Sequence, residues 1–242
     1  MSPPMSLTAR QRVCAVALAE LFRGDGEIMA SPMGPLPALG AKLAKATFEP
    51  ALVLTDGVAS VVDPDGATES WMPYRAVFDV LWSGRRHVLM GASQVDRFGN
   101  QNIACLGDPA RPKVQLLGFR GAPGNTINHT TSYWIPKHSK RALVERVDVV
   151  SGVGYDRAAA LGAAGRFHEI RAVVTDLCVF DFKTPDGSAR LKSLHPGVSL
   201  EAVQESTGFQ FSLAGAGPDA IPVSRSPTPA EDAVLDRLTG GA

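Results

Sequence analysis

The sequence predicts an α/β fold, an open parallel sheet with helices on both faces. Short and nearly continuous apolar runs, each ended by small or polar residues, recur at 51–54, 87–90, 114–117, 147–150 and 172–174. Strands that are buried on both faces lose the alternation of apolar and polar residues, so such runs favour a covered parallel sheet. Some intervals between the runs are long enough for helical crossovers, as at 155–165.

Two helices are predicted before the first of these strands. Thr8 with Gln11 three residues later is a capping-box pattern, which indicates a helix that begins near residue 9. A loop at 31–35 then leads into a second helix, where Leu36 and Leu43 share one face at helical spacing. We expect this second helix to pack on the sheet.

The remaining connections divide into loops and one further helix. Segments 61–73 and 104–112 are interpreted as irregular connections because they are rich in Asp, Gly and Pro. Ser199 and Gly208 are typical helix-cap residues, so the short stretch between them is predicted to be a helix. Segment 214–229 is rich in Gly, Pro and Ser and is expected to run over the surface. We treat residues 1–242 as a single domain.

Composition excludes several classes of function. The 242 residues carry 24 basic and 24 acidic side chains, so the chain lacks the basic excess that nucleic-acid binding usually requires. No apolar run is long enough to cross a bilayer, which argues against a membrane protein. The 3 cysteines are far apart and the 5 histidines form no two-His ligand motif, so no metal site is expected. Unpaired cysteines favour the reducing cytoplasm.

Asp56 is the first candidate catalytic residue. It follows the apolar run 51–54 and precedes Gly57, so it lies on a turn that leaves a predicted buried strand. Open α/β sheets bind ligands outside the carboxyl ends of their strands, where this carboxylate is expected. The alternative is that the Asp56 side chain only caps its own turn.

Two polar loops that contain glycine supply the other candidates. In the loop 91–100, Gln94 and Asp96 favour a structural role over ligand contact, because such side chains bind nearby backbone groups. In the loop 118–125, glycines allow backbone amides to approach an oxyanion or a thioester carbonyl, although a turn with positive φ is the alternative. The glycines there are three residues apart, which differs from a dinucleotide-binding fingerprint. Pro123 is expected to obstruct a helix start in this loop.

The order of these motifs resembles a known family. The segments are 55–57, 91–100, 121–125, 173–177 and 195–201. Together they resemble the β subunits of family I CoA-transferases, in the branch that includes glutaconate CoA-transferase, over about residues 25–209. Within that branch, the similarity is greatest to the β subunits of hydrolases that cleave a ring in steroid and cholesterol catabolism.

The resemblance implies a partner, a substrate and a site. It implies an α subunit of the same family, an α2β2 heterotetramer, and an active site between the two chains that binds an acyl-CoA substrate. Coenzyme A is then part of the substrate, and no separate cofactor is expected. Four residues are implied to bind substrate, partly through backbone amides that stabilise an oxyanion: Gln94, Gly121, Gly124 and Asn125.

Asp56 matches the glutamate that carries CoA as a covalent thioester in the family's transferases. Aspartate is shorter by one methylene, and moving a nucleophile by about an ångström can cost about a hundredfold in rate. The resemblance to the ring-cleaving hydrolases instead implies hydrolytic carbon–carbon cleavage of a ring in a CoA thioester, which needs a base and oxyanion donors but no covalent carrier. The alternatives are a CoA-transferase that uses Asp56 as its carrier, and a non-catalytic ligand-binding or scaffolding subunit.

Overall fold

The computed structural model describes residues 6–57, 60–73, 76, 79, 84–215 and 217–240. The strands are β1 Met29–Pro32, β2 Val53–Thr55, β3 Ser60–Val62, β4 Thr68–Trp71, β5 Arg86–Gly91, β6 Gln94–Val95, β7 Gln101–Asn102, β8 Cys105–Leu106, β9 Val114–Gln115, β10 Thr130–Ile135, β11 Glu169–Thr175, β12 Cys178–Asp181, β13 Arg190–Leu194 and β14 Ser212–Leu213. The helices are α1 Ala9–Glu20, α2 Pro35–Thr47, α3 Ala122–Asn128, α4 Tyr155–Ala158, α5 Leu200–Ser206 and α6 Pro229–Thr239, with 3-10 turns at Ala159–Gly165 and Pro218–Ala220.

A mixed sheet of ten strands forms the centre of the molecule, in the order β14-β13-β12-β11-β10-β5-β1-β2-β3-β4. The five central strands, β11, β10, β5, β1 and β2, are parallel to one another. The flanks turn antiparallel, with β3 and β4 on one side and β12 and β13 on the other. Only a few residues separate β2 from β3 and β11 from β12, and such short connections can join only antiparallel strands. The predicted parallel sheet is therefore confirmed at its centre.

Helices cover both faces of the sheet, as the sequence predicts. One face packs against α1 and α2, and Leu235 of α6 adds to that core. The other face packs against α3, α5 and long loops. Successive residues of β5 alternate between the two cores, since Val88 and Met90 face one side and Leu89 faces the other.

The first two helices form as predicted. Gln11 N donates to Thr8 Oγ1 at 3.2 Å and Thr8 N donates to Gln11 Oε1 at 2.9 Å, so the capping box of α1 is complete. Leu36, Leu39 and Leu43 of α2 are buried. Helices α1 and α2 pack closely at Gly40, where an added Cβ would lie 2.7 Å from Leu18 Cβ. The third predicted helix, α5, is capped by Ser199, whose side chain accepts from Ala202 N at 3.2 Å.

Two of the predicted strands are wrong. In segment 114–117 only Val114–Gln115 is a strand, and it pairs with β8 outside the main sheet. Leu117 is 72% exposed in this chain, so the apolar side chain from which a buried strand was predicted is not buried. Segment 147–150 is irregular, although Val147 is buried within the loop. Apolar content alone did not separate these loops from strands.

Three predicted loops and one predicted helix also differ from the sequence prediction. Segment 61–73, expected as a loop, contains the β3–β4 hairpin, and segment 104–112 contains the short strand β8. The expected loop 31–35 begins with the last two residues of β1, so only its second half is a connection. The helix expected at 155–165 is one α-helical turn, Tyr155–Ala158, followed by the 3-10 segment Ala159–Gly165, which Gly162 at φ 53° interrupts. Segment 214–229 runs mostly without regular structure in its described part.

Candidate functional site

Asp56 lies at the carboxyl end of β2, at the edge of the sheet where the sequence predicts a site. It is exposed in this chain, and its Oδ1 accepts a hydrogen bond from Ser60 N at 3.1 Å. Its own backbone N donates to Ser60 O at 3.0 Å. The carboxylate therefore closes the turn between β2 and β3, as the capping alternative expects, while it stays at the mouth of the sheet.

Gly57 holds this turn against the end of β1. Its φ is +81°, a conformation that L side chains rarely adopt, and an added Cβ would lie 2.5 Å from Pro32 O. Glycine is required here for two independent reasons. The position of Asp56 relative to β1 consequently depends on the absence of a side chain at residue 57.

A buried polar chain begins directly beneath Asp56. The Thr55 hydroxyl accepts from Gly57 N at 3.2 Å and donates to Ala30 O at 3.1 Å. Ser31 Oγ lies 3.2 Å from the same hydroxyl. The turn that carries Asp56 is thus fastened to β1 by side-chain contacts as well as by the sheet.

Arg86, at the start of β5, continues this chain. Its Nε donates to Ser31 Oγ at 2.8 Å, and its Nη1 donates to Asn125 Oδ1 at 3.1 Å. Arg86 therefore connects the Thr55–Asp56–Gly57 turn to the 118–125 loop through two hydrogen bonds. Arg86 carries no local sequence signal, since its partners are 55 and 39 residues away along the chain.

The 118–125 loop contains the start of helix α3, which corrects one prediction. Gly121 is the N-cap, and Pro123 lies in the first turn rather than obstructing the helix. The first turn tolerates proline because a backbone N–H at that position has no intrahelical acceptor, so no helical hydrogen bond is lost. The amide of Gly124 likewise has no i−4 acceptor within α3, so helix geometry makes it a candidate donor to an oxyanion.

Asn125 lies between this exposed turn and the interior. Gly121 is exposed, and a Cβ at that position would lie 3.5 Å from Asn125 Nδ2. Asn125 itself is buried, with Nδ2 4.0 Å from Met90 Sδ. The structure therefore brings Gly121, Gly124 and Asn125 together, and Arg86 connects them to the turn of Asp56.

Gln94 lies in a different network. Its Nε2 donates to Asp148 Oδ2 at 3.2 Å, and its Oε1 accepts from Asn102 Nδ2 at 2.7 Å. The structural role predicted for its loop is confirmed at Asp96, which is buried and accepts from Asn100 N at 3.1 Å. The substrate-binding role of Gln94 stays a prediction.

The electrostatics of the site are set by burial. Desolvation lowers the pKa of Arg86 to about 10, so its guanidinium stays protonated at neutral pH. The adjacent His129 has its pKa lowered to about 4, first by burial and then by the charge of Arg86. The interior of the site therefore combines a fixed positive charge with a neutral imidazole.

A second cluster has the geometry of a catalytic triad but lies in the interior. Asp25 Oδ2 is 2.7 Å from His87 Nδ1, and His87 Nε2 is 2.9 Å from Ser132 Oγ. Both His87 and Ser132 have no exposed surface, so a substrate cannot reach the hydroxyl. Burial lowers the pKa of His87 below its usual value. These contacts stabilise the sheet rather than form a nucleophilic site.

The described residues carry neither a metal cluster nor a membrane-spanning helix. No group of three or more His, Cys, Asp or Glu side chains among them is arranged to hold a metal ion. In the same part of the chain, no helix has the length and apolar character needed to cross a membrane.

The fold and the position of the site define a class of protein. The model of the coenzyme A transferase family matches residues 79–206, which is more than half of the chain. The chain belongs to the coenzyme A transferase family. The resemblance inferred from the order of the motifs is thereby confirmed.

Particular relatives extend this result. The chain is 50% identical, over 96% of its own length and 92% of the relative's, to the cholesterol ring-cleaving hydrolase IpdB subunit of Rhodococcus jostii. The crystal structure of IpdAB from Rhodococcus jostii RHA1 matches with a TM-score of 0.88 at 48% identity, covering 96% of this chain and 94% of that one. A glutaconate CoA-transferase subunit from Acidaminococcus fermentans is 25% identical over 84% of this chain and 83% of its own.

Proposed function

We propose that this protein is the β subunit of a two-chain hydrolase that cleaves a carbon–carbon bond in a ring of a steroid-derived CoA thioester. The observation that carries the proposal is the 50% identity, over nearly the full length of both chains, to a subunit named for cholesterol ring cleavage. An aspartate at position 56, where the family's transferases place their glutamate nucleophile, supports hydrolysis over CoA transfer.

The proposal includes a partner subunit. The matching IpdAB structure is a two-part complex by its name, which supports an α subunit of the same family for this chain. We propose an α2β2 heterotetramer in the cytoplasm. Coenzyme A enters as part of the acyl-CoA substrate, and the proposed reaction requires no further cofactor.

The proposed reaction consumes one water molecule. Water loses a proton to a general base as its oxygen adds to a ring ketone, which gives a tetrahedral alkoxide. Collapse of the alkoxide breaks the ring carbon–carbon bond and leaves a carboxylic acid, while the departing carbon, stabilised as an enolate, takes up a proton. The α subunit supplies the main base, and Asp56 orients the water at the mouth of the sheet.

The remaining predicted residues are assigned to binding and to charge stabilisation. The amides of Gly121 and Gly124 are proposed to donate to the oxyanion. Preorganised donors contribute most to catalysis when they point at the charge that develops in the transition state. Asn125 binds substrate from beneath that turn, and Gln94 binds it from the neighbouring hairpin. The hydrogen bonds from Asn125 N to Gly121 O at 2.9 Å and from Arg86 Nη1 to Asn125 Oδ1 at 3.1 Å support the placement of Asn125 beside that turn.

The second candidate is a CoA-transferase that uses Asp56 as its covalent carrier, which family membership favours. The two reactions differ in what they require. A transferase needs a free acid acceptor and exchanges CoA, whereas the hydrolase needs only water and opens the ring. A complex that exchanges CoA efficiently between an acyl-CoA and a free acid would exclude the hydrolase assignment.

The test uses the β chain co-expressed with the α chain from its genomic neighbourhood. The purified complex is incubated with a ring-ketone steroid CoA thioester in H₂¹⁸O, and the products are analysed by mass spectrometry. We expect a ring-opened CoA thioester that carries ¹⁸O in its new carboxylate. The Asp56→Asn variant keeps an oxygen to accept from Ser60 N, so it should assemble normally and lose about 10²-fold or more in kcat.

The same experiment separates the non-catalytic alternative. If Asp56→Asn and Gly124→Ala complexes assemble and turn over at the wild-type rate, this subunit contributes no chemistry. If the complex leaves every ring-ketone thioester unchanged, the proposed activity is wrong.

A further inference from the structure

Arg86 is unusual among the arginines of the described chain because its buried guanidinium has only neutral partners. It is 7% exposed, and its hydrogen bonds go to Ser31 Oγ and Asn125 Oδ1. No carboxylate of the described residues lies within 4.0 Å of it. An unpaired buried charge costs several kcal/mol, so a protein rarely keeps one without a compensating function.

Arg171 provides the contrast within the same sheet. Its Nη1 lies 2.7 Å from Asp25 Oδ1, and its Nε lies 3.1 Å from Glu169 Oε1. Those two carboxylates compensate its charge and hold its pKa above the usual value against the effect of burial. Arg86 has no such compensation, and burial lowers its pKa.

Arg86 also lies between the two exposed segments of the candidate site. In one direction Asn125 leads to Gly121 at the surface, because Arg86 Nη1 donates to Asn125 Oδ1 and Asn125 N donates to Gly121 O at 2.9 Å. In the other direction Ser31 and Thr55 lead to the turn of Asp56. The guanidinium therefore connects the two segments to which the proposed function assigns the substrate.

His129 adds a second observation at the same place. It has no exposed surface, its pKa is lowered in part by the charge of Arg86, and neither ring nitrogen has a hydrogen-bond partner among the described residues. Buried polar groups are normally paired. An unpaired imidazole beside an uncompensated guanidinium indicates polar groups that are kept for a ligand.

We propose that Arg86 is a substrate-binding residue that supplies the positive charge for an anionic oxygen of the bound CoA thioester. This inference rests on the proposed function for the identity of the substrate. The anionic oxygen is either a permanent carboxylate of the substrate or the oxyanion that forms when its carbonyl is attacked. Both bind a guanidinium through charge-assisted hydrogen bonds.

The first arm of the test does not depend on the proposed reaction. Acetate serves as the probe anion, and its binding to the αβ complex is followed by the rise in thermal midpoint with acetate, at constant ionic strength. The wild-type complex and an Arg171→Met control should respond alike. Arg86→Met should lose the response, and Arg86→Lys should keep a weaker one because it retains the charge but not the planar fork.

The second arm distinguishes the two sources of the anionic oxygen, a carboxylate of the substrate and the oxyanion that forms in the reaction. In kinetics with the CoA thioester, we expect Arg86→Lys to lower kcat/KM by about 10- to 100-fold, the range expected for one charge-assisted hydrogen bond. A rise in KM at constant kcat identifies a carboxylate, and a fall in kcat at constant KM identifies the oxyanion. Either result supports Arg86 as a binding residue.

Other outcomes overturn the proposal. An acetate response that is absent in the wild type, or equal in wild type and Arg86→Met, shows that the guanidinium binds no anion. Should Arg86→Met fail to assemble, the lysine variant decides, since unchanged kcat and KM for Arg86→Lys would leave only a structural role. An acetate response that depends on Arg86 in a complex without ring-cleaving activity would contradict the proposed function but keep the anion site.

Discussion

Replacing Gly57 with alanine should move the Asp56 turn and reduce activity without unfolding the protein. The added Cβ would lie 2.5 Å from Pro32 O, a distance that real Cβ atoms essentially never show. The turn and β1 must therefore separate by at least about 0.5 Å to reach a tolerable contact. Because Asp56 is the adjacent residue, its carboxylate moves with the turn.

The magnitude follows from two separate costs. A residue other than glycine at φ +81° costs about 1–2 kcal/mol, and the overlap with Pro32 O adds about 1–3 kcal/mol of overpacking. We expect the Gly57→Ala complex to lose about 2–5 kcal/mol of unfolding free energy. A displacement of about an ångström at a reacting group can cost about a hundredfold in rate, so kcat should fall by up to that factor.

Gly24 gives a matched control, since it has the same φ of +81° but nothing within 4 Å of an added Cβ. Gly24→Ala carries the conformational cost alone and lies outside the candidate site. Urea unfolding and ring-cleavage kinetics should show a smaller stability loss for Gly24→Ala and an unchanged kcat. If the two variants lose the same free energy and both keep full kcat, the proposed dependence of Asp56 on Gly57 is wrong.

Two further predictions concern stability. His129, His138 and His195 each have a pKa lowered to about 4 by burial, below the unfolded value of about 6.5. Their neutral imidazoles therefore contribute fully to the free energy of unfolding above about pH 6.5. Protonation of each imidazole should lower that free energy by about 2 kcal/mol at pH 5, which urea unfolding at pH 7 and pH 5 measures. Asp96→Ala removes the acceptor of Asn100 N and one of the two carboxylates that accept from Asn100 Nδ2, and thermal unfolding should show a loss of about 2–4 kcal/mol, with Asp96→Asn closer to wild type.

The central strands were predictable where apolar content and burial coincide, as in β5 and β11. Strand β10 was not predicted, because Thr131 and Ser132 are polar yet fully buried. The Ser132 hydroxyl contacts His87 Nε2, 45 residues away along the chain, and a contact that distant leaves no local pattern. Leu117 shows the converse, an apolar residue that is exposed in this chain.

The candidate site was predictable only in part. Asp56 was selected because turns after buried strands mark the ligand edge of an α/β sheet. Gly121 and the buried Asn125 were selected from a glycine-containing loop and the family resemblance, although the segment 114–117 before that loop is not a buried strand. Arg86 gave no such signal, since an arginine at the start of a strand is usually a solvated charge. Its role depends on Ser31 and Asn125, which only the fold brings within 3.1 Å.

Borohydride trapping during turnover tests directly whether Asp56 serves hydrolysis without carrying CoA. The αβ complex is mixed with the CoA thioester, reduced with borohydride, digested, and the peptide that contains Asp56 is weighed by mass spectrometry. We expect an unmodified aspartate while ring-opened product accumulates. Reduction of Asp56 to homoserine, with a yield that follows turnover, would reveal a covalent CoA thioester and contradict this expectation.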